Sequence, residues 1–404
     1  MDGKDEIEGF YDRYRKRAEK ILQQRDAIRR IDNYTFLVRS QKGQGFHLVN
    51  WIKDGWYCSC PFFKKYHHQC KHIIAVRLKY ELGYITIEGE TIEEKKPKYS
   101  RDWSKYNKIK SKEIESFEYI LSRLLLKIDE PVQHMGRPRL KLYDRLFCCI
   151  DKVYYHRSIR WIKSHLKMLH EKKLISHIPH YNVVSKTLLQ PELTPILYRL
   201  IDLTALKLSD IEKEFAIDSS GFSCSSFSNY CNFMHNTNQT HDWIKSHISV
   251  GTKTKIIAAT SVTKSNVHDS TQFETIYSKL EKIYKISRIF ADMAYNNRKI
   301  IDRICGSGAI PFIPFPKNVR AKTTSSKYYK KAYRFFRDYP REFYNIYHKR
   351  SVVESVFGSI KKRFGETIKS KLYTSQVNEL LCKIASYNVT VLNFAMDEFN
   401  IDIN

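Results

Sequence analysis

The segment Phe215-Ala216-Ile217-Asp218 is a short apolar run that ends in a carboxylate, and it sets the expectation for the C-terminal half of the chain. A second run of the same kind spans Ile289 to Asp292. Runs this short and apolar, bounded by polar residues, are typical of buried strands. Glu354 lies in a third stretch, where apolar residues recur at helical spacing. We expect the three acidic side chains to converge, since carboxylates brought from separate elements can hold divalent cations.

The predicted helix around Glu354 carries one polar face. At about 100° per residue, Tyr347, Arg350, Glu354 and Lys361 project within an arc of roughly 60°. The adjoining apolar arc would pack on a core and consists of Val353, Val356, Phe357, Ile360 and Phe364. The simpler interpretation of Glu354 alone is a solvated side chain paired with Arg350.

The spacing Tyr347-x2-Arg350-x3-Glu354-x6-Lys361 resembles the YREK signature of DDE transposases of the insertion-sequence type. Phe215–Gly221 is similar to the strand that carries the first Asp in that family, and Ala291–Tyr295 is similar to the second. The segments 266–270 and 314–318 also resemble segments of such enzymes. The resemblance extends over about residues 135 to 395.

The resemblance implies an α/β multidomain fold with an RNase H-like mixed sheet flanked by helices. It also implies a site in which Asp218, Asp292 and Glu354 are catalytic and hold two Mg²⁺ (or Mn²⁺) ions. The implied reaction is metal-dependent cleavage of DNA at the element's ends, followed by 3′-OH strand transfer into target DNA. In this family the residues equivalent to Tyr347, Arg350 and Lys361 bind DNA or its phosphates.

Other interpretations remain open from sequence. Asp269 is a rival for the second carboxylate, although it follows the predicted strand 255–263 at some distance. A metal-dependent nuclease on the same fold without strand transfer would carry the same residues. A domesticated DNA-binding or interaction protein is a further alternative.

The predicted strands of the catalytic domain are 215–218, 243–250, 255–263, 289–292 and 309–313. The predicted helices lie near 270–283, 296–305, 350–364 and 375–394. Strands that alternate with helices in this way favour a mixed sheet covered by helices.

The composition points to a polyanionic partner. The 404 residues include 70 Lys and Arg against 43 Asp and Glu, a formal net charge of +27. We expect double-stranded DNA, both element ends and target, as the partner. The sequence shows no apolar span of about 18 residues and no signal peptide, so we expect no membrane partner and a cytoplasmic, nucleoid-associated protein of a prokaryotic host. The family resemblance implies a homo-oligomer on DNA.

The nine cysteines are odd in number and show no framework spacing across the chain, which favours a reducing compartment. One local cluster of cysteine and histidine needs its own explanation. Cys58, Cys60, Cys70 and His72 predict one structural Zn²⁺ ion, with His67 or His68 as alternative ligands. The preceding segments 34–38 and 46–49 read as a hairpin, and a helix begins after Cys70. This order resembles the SWIM zinc finger, a small ββα module.

These signals divide the chain into four regions. Residues 1–83 are expected to form an N-terminal helix, over 1–31, and the finger; residues 84–113 form a charged linker. Residues 114–205 are a helical DNA-binding region, similar to a helix-turn-helix unit or else a plain bundle with a basic face. Residues 206–400 form the RNase H-like DDE catalytic domain, with a basic aromatic insertion at 321–345 suited to contacting DNA or simply solvated.

Overall fold

The computed structural model describes residues 13–24, 26–31, 35–41, 45–52, 55–80, 84–85, 91–92, 103–132, 135, 139–224, 243–316, 319, 326–399 and 401–402. The chain forms two compact units. The first comprises Met1–Lys98, Ile301–Cys305 and Pro314–His348, and the second comprises Tyr99–Ile300, Gly306–Ile313 and Lys349–Asn404.

The first unit contains a four-stranded antiparallel sheet in which neighbours in sequence are neighbours in space. Its strands are β1 (Ile28–Arg30), β2 (Thr35–Arg39), β3 (Phe46–Ile52) and β4 (Gly55–Cys58). The predicted hairpin is confirmed as β2 and β3, paired from Thr35 opposite Asn50 to Arg39 opposite Phe46. Sequence reasoning did not find the two outer strands, because each is only three or four residues long.

The N-terminal helix ends earlier than expected. Its described part, α1, spans residues 13–22, and Ala18 and Ile21 are fully buried in the core of the finger. Residues 1–12 of the predicted helix lie outside the described part of the chain. The prediction of helix to residue 31 was wrong, because Ile28 pairs with Val38 on β2 instead. Asp26 adopts a left-handed backbone conformation (φ 55°), which turns the chain between the helix and β1.

Two helices complete the finger, α2 (Pro61–Tyr66) and α3 (Lys71–Tyr80). The helix expected after Cys70 is therefore confirmed as α3, while α2 was not expected. Pro61 starts α2 because proline suits the first turn of a helix, and the Sγ atom of Cys60 caps it by accepting from the Phe63 N–H at 3.4 Å.

The insertion belongs to the same unit and is helical where it is described. Its helices, numbered in chain order with the rest of the fold, are α12 (Lys327–Asp338) and α13 (Pro340–Tyr347). Phe335 and Phe343 are buried, so part of the aromatic content expected to contact DNA instead forms a local core. Residues 321–325 of the insertion lie outside the described part of the chain.

The second unit is built on a five-stranded mixed sheet. Its strands are β7 (Glu214–Ser223), β8 (Trp243–Gly251), β9 (Ile257–Lys264), β10 (Arg288–Ala291) and β11 (Ile310–Phe312), in the order β11-β10-β7-β8-β9. β10 is parallel to β7 and β11, whereas β8 is antiparallel to β7 and β9. All five predicted strands are found, and the predicted RNase H-like mixed sheet is confirmed. In the first unit, after α3, the pair β5 (Tyr84–Ile85) and β6 (Thr91–Ile92) forms a separate antiparallel ribbon.

Helices cover this sheet much as the apolar periodicity predicted. They are α9 (Leu193–Leu206), α10 (Phe273–Ile283), α14 (Ser351–Phe364) and α15 (Tyr373–Phe399). The predicted helix at 296–305 is found as α11 (Arg298–Gly306), which follows β10 in the chain. α14 packs on β7 and β8, and α9 and α10 pack on β9. The long α15 joins this layer to the helical region.

That helical region consists of α4 (Trp103–Ser111), α5 (Glu113–Leu125), α6 (Leu142–Tyr154), α7 (Ile162–Glu171) and α8 (Tyr181–Leu188). The three helices expected after Leu142 are all present. The linker expected over 84–113 includes α4, where Tyr106 stacks on Phe394 of α15 with ring centroids 5.3 Å apart. The many charged residues of this segment led us to expect a linker, but the apolar side of α4 packs on α15. Residues 86–90 and 93–102 lie outside the described part of the chain.

A buried amide joins α15 to the edge strand β9. Asn388 is fully buried, accepts from the Ile257 N–H at 3.0 Å, and donates to the Ile257 carbonyl and the Thr204 hydroxyl at 2.8 Å each. Since β9 is an edge strand, this side chain completes hydrogen bonds that no neighbouring strand can make.

We expect Asn388→Leu to lower the free energy of unfolding by about 2 to 4 kcal/mol, because it leaves the Ile257 N–H and carbonyl buried without partners. Urea denaturation followed by circular dichroism measures the change. The matched control is Ser386→Ala on the same helix, because the Ser386 hydroxyl is buried and has no hydrogen-bond partner among the described residues. Equal losses in both variants would contradict the role given to Asn388.

Candidate active site and metal centre

The register of β7 and β10 puts two of the expected carboxylates side by side. The parallel pairing runs from Arg288 opposite Glu214 to Ala291 opposite Ile217. The next residues are Asp292 and Asp218, so the two side chains follow the last paired residues of adjacent strands. Asp218 was expected at a strand end, but β7 continues to Ser223 by pairing with β8.

Each aspartate is held locally by a main-chain donor. Asp218 Oδ1 accepts from the Ser219 N–H at 2.8 Å. Asp292 caps a short 3₁₀ helix, Met293–Tyr295, by accepting from the Ala294 N–H at 3.0 Å. One oxygen of each carboxylate is thereby oriented before any ligand arrives.

Glu354 lies in the first turn of α14, and Arg350 connects it to Asp218. The guanidinium of Arg350 donates from Nη1 to Asp218 Oδ2 at 2.8 Å and from Nη2 to Glu354 Oε1. The Glu354 side chain is 57% exposed, so its pairing with Arg350 agrees with the simpler interpretation as well. The contact nevertheless shows that carboxylates from β7 and α14 converge on one cationic group.

The expected single helix through Tyr347 and Glu354 is interrupted. Tyr347 ends α13, His348–Arg350 is a 3₁₀ turn, and α14 begins at Ser351. The common polar arc predicted for Tyr347 and Glu354 assumed one continuous α-helix, and the 3₁₀ turn interrupts that continuity.

Burial raises the pKa of the Asp218 carboxyl above its ordinary value, and the negative charge of Asp292 acts in the same direction. The Ser219 N–H and Arg350 oppose this effect. The effect of Asp292 on Asp218 is the one that a nearby carboxylate produces.

Tyr295 lies among the acidic residues and was not singled out from sequence. The side chain is fully buried, and its hydroxyl has no hydrogen-bond partner among the described residues. Burial raises the pKa of this phenol, and the charges of Asp269, Asp218 and Asp292 raise it further. The segment 291–295 was recognisable, but nothing in it distinguished a buried tyrosine from an exposed one.

Asp269, the rival for the second carboxylate, is occupied by other groups. Lys245 Nζ donates to Asp269 Oδ1 at 2.9 Å, and His247 Nδ1 lies 3.6 Å from the same oxygen. Burial acts to raise the pKa of Asp269, but hydrogen bonds from Lys245 and Ser219 lower it overall. Burial lowers the pKa of His247 to about 4, so this imidazole is neutral near pH 7.

Two lysine side chains, the predicted Lys361 and also Lys349, form ion pairs with glutamates of the second unit. Lys361 donates to Glu366 Oε1 at 2.9 Å, and its ammonium lies 5.4 Å from the centre of the Phe222 ring. Lys349 contacts Glu214 at 2.6 Å, a pair that the sequence did not suggest.

The first unit holds a second kind of site. Cys58, Cys60, Cys70 and His72 form the one group of three or more His, Cys, Asp or Glu, among the described residues, whose ligand atoms all lie within 4.8 Å of one another. His72 Nδ1 is 3.8 Å from the Sγ atoms of both Cys58 and Cys70. With bonds of about 2.0 to 2.3 Å, ligands of a tetrahedral Zn²⁺ ion stand roughly 3.5 Å apart, so the group fits this ion.

The chemistry of the four groups agrees with that fit. All four side chains are buried. A thiolate is the form that binds zinc. His67 and His68 are not in the group, so the alternative ligand sets are excluded; His67 instead ends α2 in a left-handed conformation (φ 50°).

No helix among the described residues is long and apolar enough to cross a membrane.

Comparison with protein families gives two matches. Residues 211–389 match the family model of the transposase DDE domain, a range that includes Asp218, Asp292 and Glu354. Residues 47–81 match the model of the SWIM zinc finger, a range that includes all four zinc-type ligands. No curated protein matches the chain. The chain thus carries a region similar to a transposase DDE domain, which implies DNA as its partner and a divalent metal at its site, and a region similar to a SWIM zinc finger, whose Cys3His group suits Zn²⁺.

Proposed function

We propose that this protein is an insertion-sequence transposase that cleaves DNA at the ends of its element and joins the 3′-OH ends to target DNA. The observation that carries the proposal is the convergence of Asp218 and Glu354 on Arg350, with Asp292 beside Asp218 on the adjacent strand. These are the three carboxylates of the DDE signature, and they come from three separate elements.

Asp218, Asp292 and Glu354 would hold the divalent cations. The donor set is entirely oxygen, which suits Mg²⁺ or Mn²⁺. Arg350 places a positive charge between Asp218 and Glu354. The two carboxylates therefore form an anionic position that attracts cations, which supports metal binding there. Bound divalent ions would activate the attacking oxygen and stabilise the leaving 3′ oxygen.

The protein's own residues would position the DNA. Arg350 would exchange part of its contact with the carboxylates for a phosphate oxygen, since a guanidinium binds both in the same bidentate way. Lys361 would release Glu366 to neutralise a second phosphate, and Tyr347 would contact a base or phosphate near the cut. The spacing of these residues matches the YREK signature, which supports the insertion-sequence type.

The helical region 114–205 would hold the DNA away from the cleavage site. An exposed basic face on and around α7 includes Arg160, Lys163 and Lys167, and Trp161 beside them is 78% exposed. An aromatic ring among basic residues can stack on or wedge against nucleotides while the cations contact phosphates. Simultaneous engagement of two element ends would require a homo-oligomer on DNA.

We expect Asp218→Asn, Asp292→Asn and Glu354→Gln each to reduce Mg²⁺-dependent cleavage of element-end DNA on the order of 10³-fold or more, because each removes an anionic ligand. Gel analysis of labelled duplex measures the cleavage. Binding of the same duplex should persist, since the loss of negative charge does not repel DNA. Glu398→Gln, an exposed change at the end of α15, should cleave normally. Normal cleavage by all three site variants would disprove the assignment.

The second test separates transposase from nuclease. Purified protein is incubated with Mg²⁺, a donor duplex bearing the sequences that flank the gene, and a supercoiled target plasmid. We expect joined products in which donor 3′ ends are linked to plasmid strands. Cleaved donor without any joined product, over a range of Mg²⁺ and Mn²⁺ concentrations, would identify the protein as a nuclease.

The zinc assignment is tested by metal content. We expect about one Zn²⁺ per chain in the parent protein and its loss in Cys60→Ser, because a tetrahedral Cys3His site does not close with three ligands. Mass spectrometry of the native protein or a colorimetric zinc assay gives the ratio. His67→Asn is the control, since Asn tolerates the left-handed backbone at this position and His67 is not a ligand. Loss of zinc in His67→Asn with retention in Cys60→Ser would contradict the ligand set.

A further inference from the structure

The helix of the zinc finger carries a buried arginine whose partners lie far along the chain. Arg77 on α3 is 7% exposed, and its Nη2 donates to Glu342 Oε1 on α13 at 2.9 Å. Its Nη1 donates to Gln69 Oε1 at 3.1 Å, and its guanidinium carbon lies 4.7 Å from the centre of the Tyr339 ring. Arg77 is therefore enclosed by the insertion and by the finger itself.

A second contact joins the same two segments. Arg337 at the end of α12 donates to the main-chain carbonyl of His67, and it also pairs with Asp338 at 2.7 Å. His68 Nδ1 lies 3.9 Å from Asp338 Oδ1. The two histidines beside the zinc ligands thus belong to the contact with the insertion.

The burial of the pair indicates a permanent contact. Glu342 is 4% exposed, and its carboxylate forms an ion pair with Arg77. An ion pair taken out of water is retained only if both partners stay together, because either charge alone would be strongly unfavourable there. A helix that used Arg77 to read DNA would need this guanidinium at its surface.

We infer that α3 of the SWIM finger is a docking surface for α12 and α13 of the same chain. The zinc finger stabilises the fold of the insertion and does not use α3 to recognise DNA. The zinc ligands Cys70 and His72 flank the start of α3, so the ion fixes the helix that presents Arg77. α13 ends at Tyr347, whose ring stacks on Phe343 at 5.5 Å between centroids. Zinc would in this way stabilise the segment that leads directly into Arg350 and Glu354.

This inference is independent of the catalytic assignment, and its test needs no activity. Amide hydrogen exchange followed by mass spectrometry compares peptides from α13 with peptides from α10, which belongs to the second unit and serves as an internal reference. In Arg77→Met we expect exchange in α13 to accelerate on the order of ten-fold or more, because Glu342 is left buried and unpaired. Removal of zinc with a chelator should accelerate the same peptides, while α10 stays unchanged in both cases.

Two further variants keep the result interpretable. Lys64→Met removes one cation from an exposed position of α2 and should leave α13 unchanged. Arg77→Met combined with Glu342→Leu replaces the ion pair with apolar groups and should restore slow exchange in α13, with zinc content maintained throughout. Recovery in the double variant excludes general misfolding as the cause.

The opposite outcomes are equally specific. If the rate of amide exchange in α13 is the same in the parent, in Arg77→Met and in the zinc-free protein, the zinc finger does not stabilise α13 and the inference is wrong. If Arg77→Met instead weakens binding of a DNA duplex ten-fold or more while α13 stays protected, then α3 is a DNA-binding helix and the inference is wrong.

Discussion

Parallel pairing between β7 and β10 is the constraint on which the candidate active site depends. It brings Asp218 on β7 and Asp292, the residue after β10, side by side, because each follows the last residue of the paired segments. A shift of one residue in this pairing would turn one carboxylate to the opposite face of the sheet. The fully buried Phe215, Ile217 and Ile289 oppose such a shift, because it would disrupt their close packing. The hydrophobic core of the sheet thereby determines the geometry of its acidic edge.

The chain contains two kinds of metal-binding chemistry, assembled in different ways. The zinc group comes from fifteen consecutive positions, Cys58 to His72, and its ligand atoms already stand at metal-binding separations. The carboxylates come from β7, the end of β10 and α14, and Arg350 links two of them. Thiols and an imidazole can be neutral, so they crowd together without a metal. Carboxylates repel one another, and a counter-charge is needed to hold them close.

Burial of charge also distinguishes the two faces of the finger region. Arg77 and Glu342 are enclosed between α3 and α13, whereas Lys64 and Lys65 on α2 remain exposed. Aromatic residues of the insertion follow the same division, with Phe335 and Phe343 buried and Tyr328 exposed. The basic and aromatic composition of this segment therefore serves internal packing as well as any contact with DNA. Composition alone could not separate these roles, since a basic aromatic stretch has the same residues in either case.

Local sequence determined much of this protein. Apolar runs predicted the five strands of the mixed sheet, helical periodicity predicted α6, α7, α8 and α14, and ligand spacing predicted the zinc group, because each of these signals acts over a few residues. The tertiary structure decided the rest. It ended the N-terminal helix by pairing Ile28 with Val38, broke the helix between Tyr347 and Ser351, and placed Tyr295 among three carboxylates. It also joined Arg77 to Glu342, residues separated by 265 positions. Such contacts depend on the free energy of burying groups that are distant along the chain, and no local pattern encodes which distant group will be the partner.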